Sequence, residues 1–337
     1  MEIGRRLLLG LALGLTLTPP LAAALDPFGF FAGIASAVYE RLKSRLKECC
    51  TEDWIPLDVT GLKANLRKNL FGQHIAIDVI PKAIEGFLSN SEPEKSLTLS
   101  IHGWTGTGKN FVSKIIAESL YKEGMDSKYV HLFVASLHFP NAQHTSQYKQ
   151  QLQQWIHGNV SACERSMFIF DEMDKMHPDV IDSIKPFLDY YSHLNRVSYR
   201  KAIFIFLSNA GGVKINEVVL NYWKRGMKRE DIRWNDLQDH LALEVYNNKN
   251  TGFWHASLID MNLIDYFIPF LPLEHRHVVL CAKAAMQSRH FKDVEQVAIK
   301  VAEEMMYFPK DEKIFSIRGC KQVATKVDYW TTADKET

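Results

Sequence analysis

Short runs of apolar, β-favouring residues alternate along the chain with longer stretches in which apolar positions recur at helical spacing. The short runs predict five strands, at 97–101, 129–135, 166–172, 202–207 and 263–270. The helical spacing predicts helices at 75–88, 111–121, 147–155 and 178–190. Because strands that alternate with helices form parallel sheets covered by those helices, the pattern predicts an α/β fold.

The pattern changes near residue 274, after which only helices are predicted. These helices lie at 275–286, at 294–306 and around 319–327. We therefore expect a large α/β domain at 49–273 and a small helical domain, the lid, at 274–337. Glu303 and Glu304 end the second lid helix, where they form either a solvated acidic face or part of a surface that faces a partner.

The first 24 residues have the three parts of a secretory signal peptide. Arg5 and Arg6 give it a positive start, residues 7–18 are almost wholly apolar, and the alanines at 22–24 offer a cleavage site. An uncleaved anchor helix is the alternative interpretation. The prolines at 19–20 argue against it, because they end the apolar run before it is long enough to span a bilayer. Both interpretations predict export.

A second apolar stretch, at 27–39, is also too short to cross a membrane. It is followed by four basic residues, Arg41, Lys43, Arg45 and Lys47. An apolar segment with a basic end suits insertion into one leaflet, with the basic residues at the headgroups. We predict monotopic membrane attachment through residues 25–48. An amphipathic helix packed on the protein's own core is the alternative.

Composition narrows the class of protein further. Of the 337 residues, 46% are hydrophobic and 23% are charged, which excludes a disordered chain and a polytopic membrane protein. The 40 lysines and arginines against 39 acidic residues leave a net charge of +1. A dedicated nucleic-acid binder usually carries a clear basic excess, so we expect no nucleic-acid partner.

The cysteines and one glycosylation motif bear on the compartment. Five cysteines, at 49, 50, 163, 281 and 320, are too few for a disulfide scaffold and include no CxxC pair typical of zinc sites. In an oxidising compartment some of them pair and one is left over, although Cys163 also fits an ordinary buried thiol. Asn159 begins the only N-glycosylation sequon, which agrees with a lumenal or extracellular location.

A phosphate-binding loop follows the first predicted strand and opens the next helix. Its positions are Gly103, Trp104, Thr105, Gly106, Thr107, Gly108, Lys109 and Asn110. Glycines let backbone N–H groups turn toward phosphates, and the lysine reaches the β- and γ-phosphates. The last position is normally Ser or Thr, whose hydroxyl binds Mg²⁺. Since an amide oxygen also ligates hard cations, we expect Asn110 to contribute to a Mg²⁺ site.

Acidic and amide side chains end the next two long apolar runs. Asp171 and Glu172 follow a buried run about sixty residues after the loop, which is the Walker B arrangement. Asp171 is predicted to hold Mg²⁺, and Glu172 to polarise the attacking water as general base. Asn209 follows the run at 202–207 and is predicted to orient that water, or else to cap the next turn.

These motifs together resemble the AAA+ ATPases of the Clp/Hsp100-like branch. The loop at 103–110, with Asn after the lysine, is more closely similar to the torsin family and most like its torsin-1 subgroup. The signal peptide, the short apolar anchor and Gly319-Cys320-Lys321 match as well. The resemblance runs from about residue 69 to about residue 328. It implies a three-layer αβα nucleotide-binding core with a parallel sheet, followed by a helical lid.

The resemblance also implies roles and a location. Lys321 takes the position of the sensor-2 lysine, and Cys281 pairs with Cys320, which would couple nucleotide sensing to redox state. We therefore expect a slow, Mg-ATP-dependent ATPase with chaperone-like remodelling activity. Its expected location is the lumen of the endoplasmic reticulum and nuclear envelope, peripheral on the membrane, and we expect it to form homo- or hetero-oligomers.

One departure from the wider AAA+ pattern concerns the arginine finger. Clp-like proteins carry Asn-Arg-Ile-Asp before the last core strand, whereas this chain reads Asn-Leu-Ile-Asp at 262–265. Leu263 therefore occupies the finger position. An arginine finger contributes on the order of 10³–10⁵ in rate, so the chain is expected to bind ATP and hydrolyse it slowly alone. The resemblance implies that type II membrane proteins with AAA-like lumenal domains, of the lamina-associated polypeptide type, supply the arginine.

Two other functions remain open on the sequence. The first is a nucleotide-controlled binding or filament-forming protein in which hydrolysis is incidental. The second is a small-molecule kinase, which the pairing of Glu172 with Asn209 and the lid disfavours. The stretch at 137–140 also lacks the aromatic-glycine pattern of a polypeptide-threading pore loop, so threading is not expected.

Overall fold

A parallel five-stranded sheet organises the described part of the chain. The computed structural model describes residues 48–287 and 294–333, with side chains through residue 331, and these all belong to a unit that begins at Glu48. The strand order is β2-β3-β4-β1-β5, and every neighbouring pair runs parallel. Strands β1 and β4 are buried along their whole length, as in a sheet that is covered on both faces. The predicted α/β fold is confirmed.

The elements follow one another in alternation through most of the chain. The strands are β1 (Leu97–Gly103), β2 (Val130–Val134), β3 (Met167–Asp171), β4 (Ile203–Ser208), β5 (Tyr266–Phe270), β6 (Tyr307–Phe308) and β7 (Phe315–Ser316). The helices are α1 (Val59–Asn69), α2 (His74–Ser89), α3 (Lys109–Leu120), α4 (Ala135–His138), α5 (Thr145–Ala162), α6 (Pro178–Asp182), α7 (Lys185–Leu188), α8 (Gly212–Lys224), α9 (Gln238–Asn247), α10 (Ser257–Asp260), α11 (His275–Gln287), α12 (Val294–Glu303) and α13 (Val323–Ala333).

Aromatic side chains fill the centre of the sheet. Phe168 of β3 stacks on Phe204 of β4 with ring centroids 5.1 Å apart, and Phe170 meets Phe206 edge-on at 5.7 Å. All four side chains are fully buried. Aromatic pairs of this kind bury large apolar areas and add about 0.5–1.5 kcal/mol each beyond that burial. They hold β3 and β4 in register, which sets the positions of the residues that follow each strand.

The predicted strands agree with the observed ones to within three residues, but several helices differ from prediction, among them α5, which ends at Ala162, seven residues beyond the predicted end. The helix predicted at 178–190 is wrong, because the segment forms α6 and α7 separately. Pro186 has no N–H to donate within a continuous helix, so the first helix ends before it. The stretch at 137–140 was expected to be a loop, and its first residues form the end of α4.

The lid, for which only helices were predicted, also contains the antiparallel pair β6–β7. Its helices have a core of their own. Val278, Ala282 and Met286 of α11 pack on apolar residues of α12 and α13. At the edge of this core Glu304 accepts hydrogen bonds from Lys326 Nζ at 2.8 Å and from Trp330 Nε1 at 3.1 Å. Glu304 therefore ties the end of α12 to α13, although Glu303 and Glu304 are both exposed.

Two disulfides join distant parts of the chain. Cys50 is bonded to Cys163 at the end of α5, so Cys163 is not an ordinary buried thiol. Cys281 of α11 is bonded to Cys320, just before α13. Cys49 takes part in neither bond.

The predicted signal peptide and the apolar segment at 25–47 lie outside the described residues. Among the residues that the structure describes, none of the helices has the length and apolar character needed to cross a bilayer.

Candidate nucleotide site

The strand order brings the predicted site residues to one edge of the sheet. Strands β3, β4 and β1 are neighbours and parallel, so their carboxyl ends lie side by side. These ends carry Asp171 and Glu172, then Asn209, then the phosphate-binding loop at 103–110. Ligands of open α/β sheets bind at such an edge. Residues far apart in sequence thus meet around one cleft.

The phosphate loop lies in contact with the chain segment that leads into α13. Gly106 has a φ of +74°, and a Cβ there would lie 1.9 Å from the carbonyl oxygen of Arg318. A Cβ on Gly319 would lie 2.1 Å from the Gly106 oxygen. Cys320 N donates to that oxygen at 3.0 Å, and Trp104 Nε1 donates to Ile317 O at 2.8 Å. Only glycine at 106 and 319 permits this close approach.

Lys109, the first residue of α3, is folded inward over the loop. Its ammonium group donates to Gly103 O at 2.8 Å, to Trp104 O at 3.0 Å and to Asn209 Oδ1 at 2.9 Å. Burial lowers the pKa of Lys109 to about 8, although Asp174 and Asp171 oppose that change. The lysine is therefore held at the position where phosphates of a nucleotide would meet the loop.

Asn110 and Asp171 lie together beside the loop. Asn110 Nδ2 donates to Asp171 Oδ2 across the gap between α3 and β3. Both side chains line the same cavity. A carboxylate and an amide oxygen are ligands that Mg²⁺ accepts, and Mg²⁺ commonly takes only one or two protein ligands beside phosphate and water. This pair fits the predicted metal position.

Glu172 is held by two other side chains. Its backbone is left-handed, with a φ of +57°. Ser136 Oγ donates to one carboxylate oxygen, and Lys175 Nζ donates to the other. Burial by itself raises the pKa of Glu172, but the hydrogen bonds from Lys175 and Ser136 outweigh that effect and lower the pKa. The carboxylate is ionised, and each of its oxygens accepts a hydrogen bond, one from Ser136 and the other from Lys175.

Asn209 is positioned by an acidic side chain that the sequence did not single out. Its backbone N donates to Asp174 Oδ1 at 2.9 Å, and Ser208 Oγ donates to the same oxygen at 3.2 Å. Asp174 therefore fixes the turn that follows β4. Its charge also lies near Lys109 and stabilises the protonated ammonium.

Lys321 completes a cavity of about 420 Å³. The walls are formed by Thr105, Gly106, Gly108, Lys109, Asn110, Phe111, Asp171, Glu172, Leu207, Ser208, Asn209, Cys320 and Lys321. The positive charge of Lys321 contributes to the low pKa of Lys109. The phosphate loop, the Asp171–Glu172 pair, Asn209 and Lys321 thus border one space.

A second, apolar cavity of about 250 Å³ adjoins the first across the phosphate loop. The two share Gly106, Gly108, Phe111 and Cys320. The rest of its wall comes from Thr107 of the phosphate loop, residues 69–71 at the end of α1, Leu273, and the lid helices α11 and α13. One wall contains the Cys281–Cys320 disulfide.

Comparison with known proteins agrees with this geometry. A family model described as Torsin matches residues 44–170, and one described as Torsin-1A, C-terminal domain, matches residues 273–330. Human (Homo sapiens) torsin-3A is 41% identical over 287 residues, which cover 84% of this chain and 72% of torsin-3A. The chain belongs to the torsin family.

Two Hsp104 structures show the same fold. One is a closed state of Hsp104 with ATPγS and FITC casein, with a TM-score of 0.58 over 83% of this chain. The other is the S. cerevisiae Hsp104–ADP complex, with a TM-score of 0.60 over 90% of this chain. Both are 16% identical in sequence, and this chain spans 47% and 54% of their length. The α/β core thus has an AAA+ fold.

Three residues of the site escaped the sequence analysis for different reasons. Asp174 and Lys175 belong to the same short charged run as Asp171 and Glu172, and that run could have indicated that they belong to the site. Ser136 gave no signal. It reaches Glu172 because β2 lies beside β3, which the pattern of apolar runs alone does not reveal.

The pKa of Lys109 predicts a pH dependence of nucleotide binding. Above pH 8 the free protein loses the Lys109 proton, whereas bound phosphates favour the charged form, so binding must take up a proton. We expect the Kd for ATP to be nearly constant from pH 6.5 to 7.5. It should then rise toward about tenfold per pH unit above pH 8. Calorimetry at pH 8.5 in two buffers of different ionisation enthalpy measures the uptake directly. A constant Kd up to pH 9.5 would contradict either the low pKa of Lys109 or its contact with the phosphates.

Proposed function

We propose that this chain binds Mg-ATP and hydrolyses it, slowly alone and faster when a second protein completes the site. The observation that carries the proposal is the convergence of Lys109, Asp171, Glu172, Asn209 and Lys321 on one cavity. Each of these groups has a distinct use in phosphoryl transfer, and together they suit a hydrolytic site. Membership of an AAA+ ATPase family supports the same reaction.

The two adjoining cavities suit the two ends of a nucleotide. Backbone N–H groups of the phosphate loop and the Lys109 ammonium suit the phosphates. The apolar cavity beside Phe111 suits the base, because it is lined mainly by apolar side chains. Asn110 and Asp171 would hold Mg²⁺ once the Asn110 amide turns its oxygen toward the site. Bound there, the ion would neutralise charge on the β- and γ-phosphates.

Hydrolysis requires Glu172 to change partners. In the described arrangement Ser136 and Lys175 occupy its carboxylate. Acting as general base, Glu172 must instead accept a proton from the water that attacks the γ-phosphorus. Asn209, held by Asp174, would orient that water. Lys109 and Lys321 would stabilise the negative charge that develops on the phosphoryl oxygens.

The arginine-finger position supports the need for a second protein. Leu263 lies between α10 and β5, and its side chain is only 1% exposed. It packs in the core and does not project toward a neighbouring molecule. Residues 257–265 contain neither Arg nor Lys. We therefore propose activation in trans by a type II membrane protein with an AAA-like lumenal domain, which would supply the arginine within a hetero-oligomer.

Steady-state hydrolysis by the purified full-length chain tests this proposal. We expect tight binding of ATP with almost no turnover alone, and an increase on the order of 10³-fold or more with the lumenal domain of the activator. An activator whose finger arginine is replaced by alanine is the matched control and should give no increase. Turnover near one per second by the chain alone would refute the trans mechanism while leaving ATP hydrolysis in place.

A location in the lumen of the endoplasmic reticulum and nuclear envelope goes with this function. Torsin membership, the predicted signal peptide and the two disulfides support it, because disulfides persist in oxidising compartments. We propose peripheral attachment through residues 25–48. We also propose a glycan at Asn159, which lies in the last turns of α5 and donates to Trp155 O at 2.8 Å.

Two finer assignments are also part of the proposal. The C-terminal match to a model named for torsin-1A supports placement in the torsin-1 subgroup, although human torsin-3A is itself 41% identical. The position of Cys320 in the walls of both cavities supports coupling of nucleotide binding to the Cys281–Cys320 disulfide.

A nucleotide-controlled binding or filament-forming protein is the second candidate. The observation that favours it is the occupied carboxylate of Glu172, which leaves the site without a free base in the described arrangement. If this candidate is correct, ATP binding alone suffices, and loss of hydrolysis leaves cellular function intact.

A further inference from the structure

The buried side chain of Gln73 lies between the phosphate loop and the connection to the lid. Gln73 is 1% exposed and precedes α2. Its Nε2 donates to Thr107 O at 3.0 Å and to Leu271 O at 2.9 Å. Its Oε1 accepts from Leu271 N at 2.8 Å. One carboxamide thus satisfies both backbone groups of Leu271 and one carbonyl of the phosphate loop.

The contact with Thr107 acts on the peptide group between Thr107 and Gly108, which is expected to face the phosphates. The Thr107 carbonyl belongs to the same planar peptide unit as the N–H of Gly108, one of the donors expected to cradle phosphate. Hydrogen bonds at the two ends of one peptide polarise each other. A phosphate bound by the Gly108 N–H would therefore strengthen the bond from Gln73 to the Thr107 carbonyl.

The contact with Leu271 acts on the hinge, which we define as residues 271–274 between β5 and α11. Gly72 packs against the same region, since a Cβ there would lie 2.9 Å from His277 Cγ and 3.0 Å from Leu273 Cδ2. The pair Gly72-Gln73 is therefore in contact with both the hinge and the first turn of the lid.

Arg229 holds this arrangement from the other side. Its guanidinium is buried and donates to Gly72 O at 2.7 Å, to Pro272 O at 2.8 Å and to Glu274 Oε1 at 3.1 Å. Arg276 joins Glu274 to Glu230, at 2.6 and 2.8 Å. Arg229 thus fixes the segment before Gln73 to the hinge.

We propose that Gln73, braced by Arg229, is the positioning residue that transmits occupation of the phosphate loop to the hinge and so sets the lid helix α11. The proposal rests on the nucleotide binding proposed above. The apolar cavity agrees with it, because its walls include residues 69–71, the phosphate loop, Leu273 and the lid. A base bound there would touch every part that Gln73 and Arg229 connect.

Hydrogen exchange of the full-length protein, with and without Mg-ATPγS, tests the link. In the wild type we expect ATPγS to slow exchange both at residues 103–112 and at residues 270–282. Gln73→Met keeps the length of the side chain and removes all three hydrogen bonds. It should weaken ATPγS binding on the order of 3- to 10-fold.

The distinguishing result appears when Gln73→Met is compared at matched occupancy by ATPγS. Residues 103–112 should still be protected, whereas protection of residues 270–282 should fall to less than a third of the wild-type value. The Leu271 amide should exchange faster even without nucleotide. Gln150→Met, on the exposed face of α5, is the matched control and should behave as the wild type.

The outcomes separate this proposal from the one it rests on. Failure of the wild type to bind ATPγS would overturn the proposed function. Two results would overturn the proposed role of Gln73 and leave the proposed function standing. The first is that ATPγS binds to Gln73→Met and protects the hinge as in the wild type. The second is that ATPγS binds to the wild type without protecting the hinge. If Gln73→Met does not fold, Arg229→Lys takes its place. That variant keeps the charge beside Glu274 but cannot reach Gly72 and Pro272 together, so wild-type hinge protection in it would also overturn the proposal.

Discussion

Glu172→Gln should lower the rate of activated ATP hydrolysis by on the order of 10²–10⁴ while ATP affinity stays within about threefold of the wild type. The amide keeps the shape of the carboxylate but cannot accept the proton of the attacking water. It also loses the charge that pairs with Lys175. Hydrolysis is measured in the presence of the activating lumenal domain, and ATP binding by calorimetry.

We further propose that the activator binds the ATP-bound state and leaves after hydrolysis, so the same variant should hold the activator longer. The lifetime of the complex with the activator, measured by surface plasmon resonance in Mg-ATP, should increase at least tenfold. Glu164→Gln offers a matched control, since Glu164 is an exposed carboxylate paired with Lys201 on the surface. If Glu172→Gln hydrolyses ATP at the wild-type rate, Glu172 is not the general base. Unchanged partner lifetime with lost hydrolysis would refute the proposed cycle.

Lys109→Met should weaken ATP binding on the order of 10³-fold, the largest effect that we expect on affinity. The variant removes the one ammonium that the structure holds directly over the loop carbonyls of Gly103 and Trp104. The low pKa of Lys109 shows that burying its charged ammonium costs free energy. Without nucleotide, the variant should therefore be no less stable against unfolding than the wild type. Thermal melting with and without Mg-ATP measures both quantities.

Lys114→Met is the control for Lys109→Met. Lys114 lies on the exposed side of the same helix, α3, and forms a surface pair with Glu118. Its replacement should leave intact the rise in melting temperature that Mg-ATP produces. If Lys109→Met keeps that rise as well, the phosphates lie elsewhere and the site is misassigned.

Features that depend on local pattern were predictable from the sequence. The strands are short runs of buried apolar residues, and the phosphate loop is a contiguous motif between a strand and a helix. Both signals are therefore complete within about ten residues. Pro186 was also a local signal, and it broke the helix predicted at 178–190. The residues that end β1, β3 and β4 were found because each follows an apolar run.

Features that depend on strand order and long-range packing were not predictable. Ser136 reaches Glu172 only because β2 pairs with β3. Gln73 reaches Leu271 across 198 residues of sequence, and nothing in its immediate surroundings marks it as buried. The pairing of Cys50 with Cys163 likewise depends on where the start of the described chain meets the end of α5. Side chains of this kind become visible only with the tertiary structure.

The burial of Leu263 has an evolutionary consequence. Arginine at position 263 would place a second cation in the core, in a residue whose backbone carbonyl already accepts a hydrogen bond from the Lys95 ammonium at 3.1 Å. An unpaired charge buried in this way is strongly destabilising. Under the proposed activation in trans, a change of Leu263 to arginine would not by itself restore hydrolysis by the chain alone, because the backbone around position 263 would first have to turn outward. The packing of the core would thus preserve the proposed reliance on a partner.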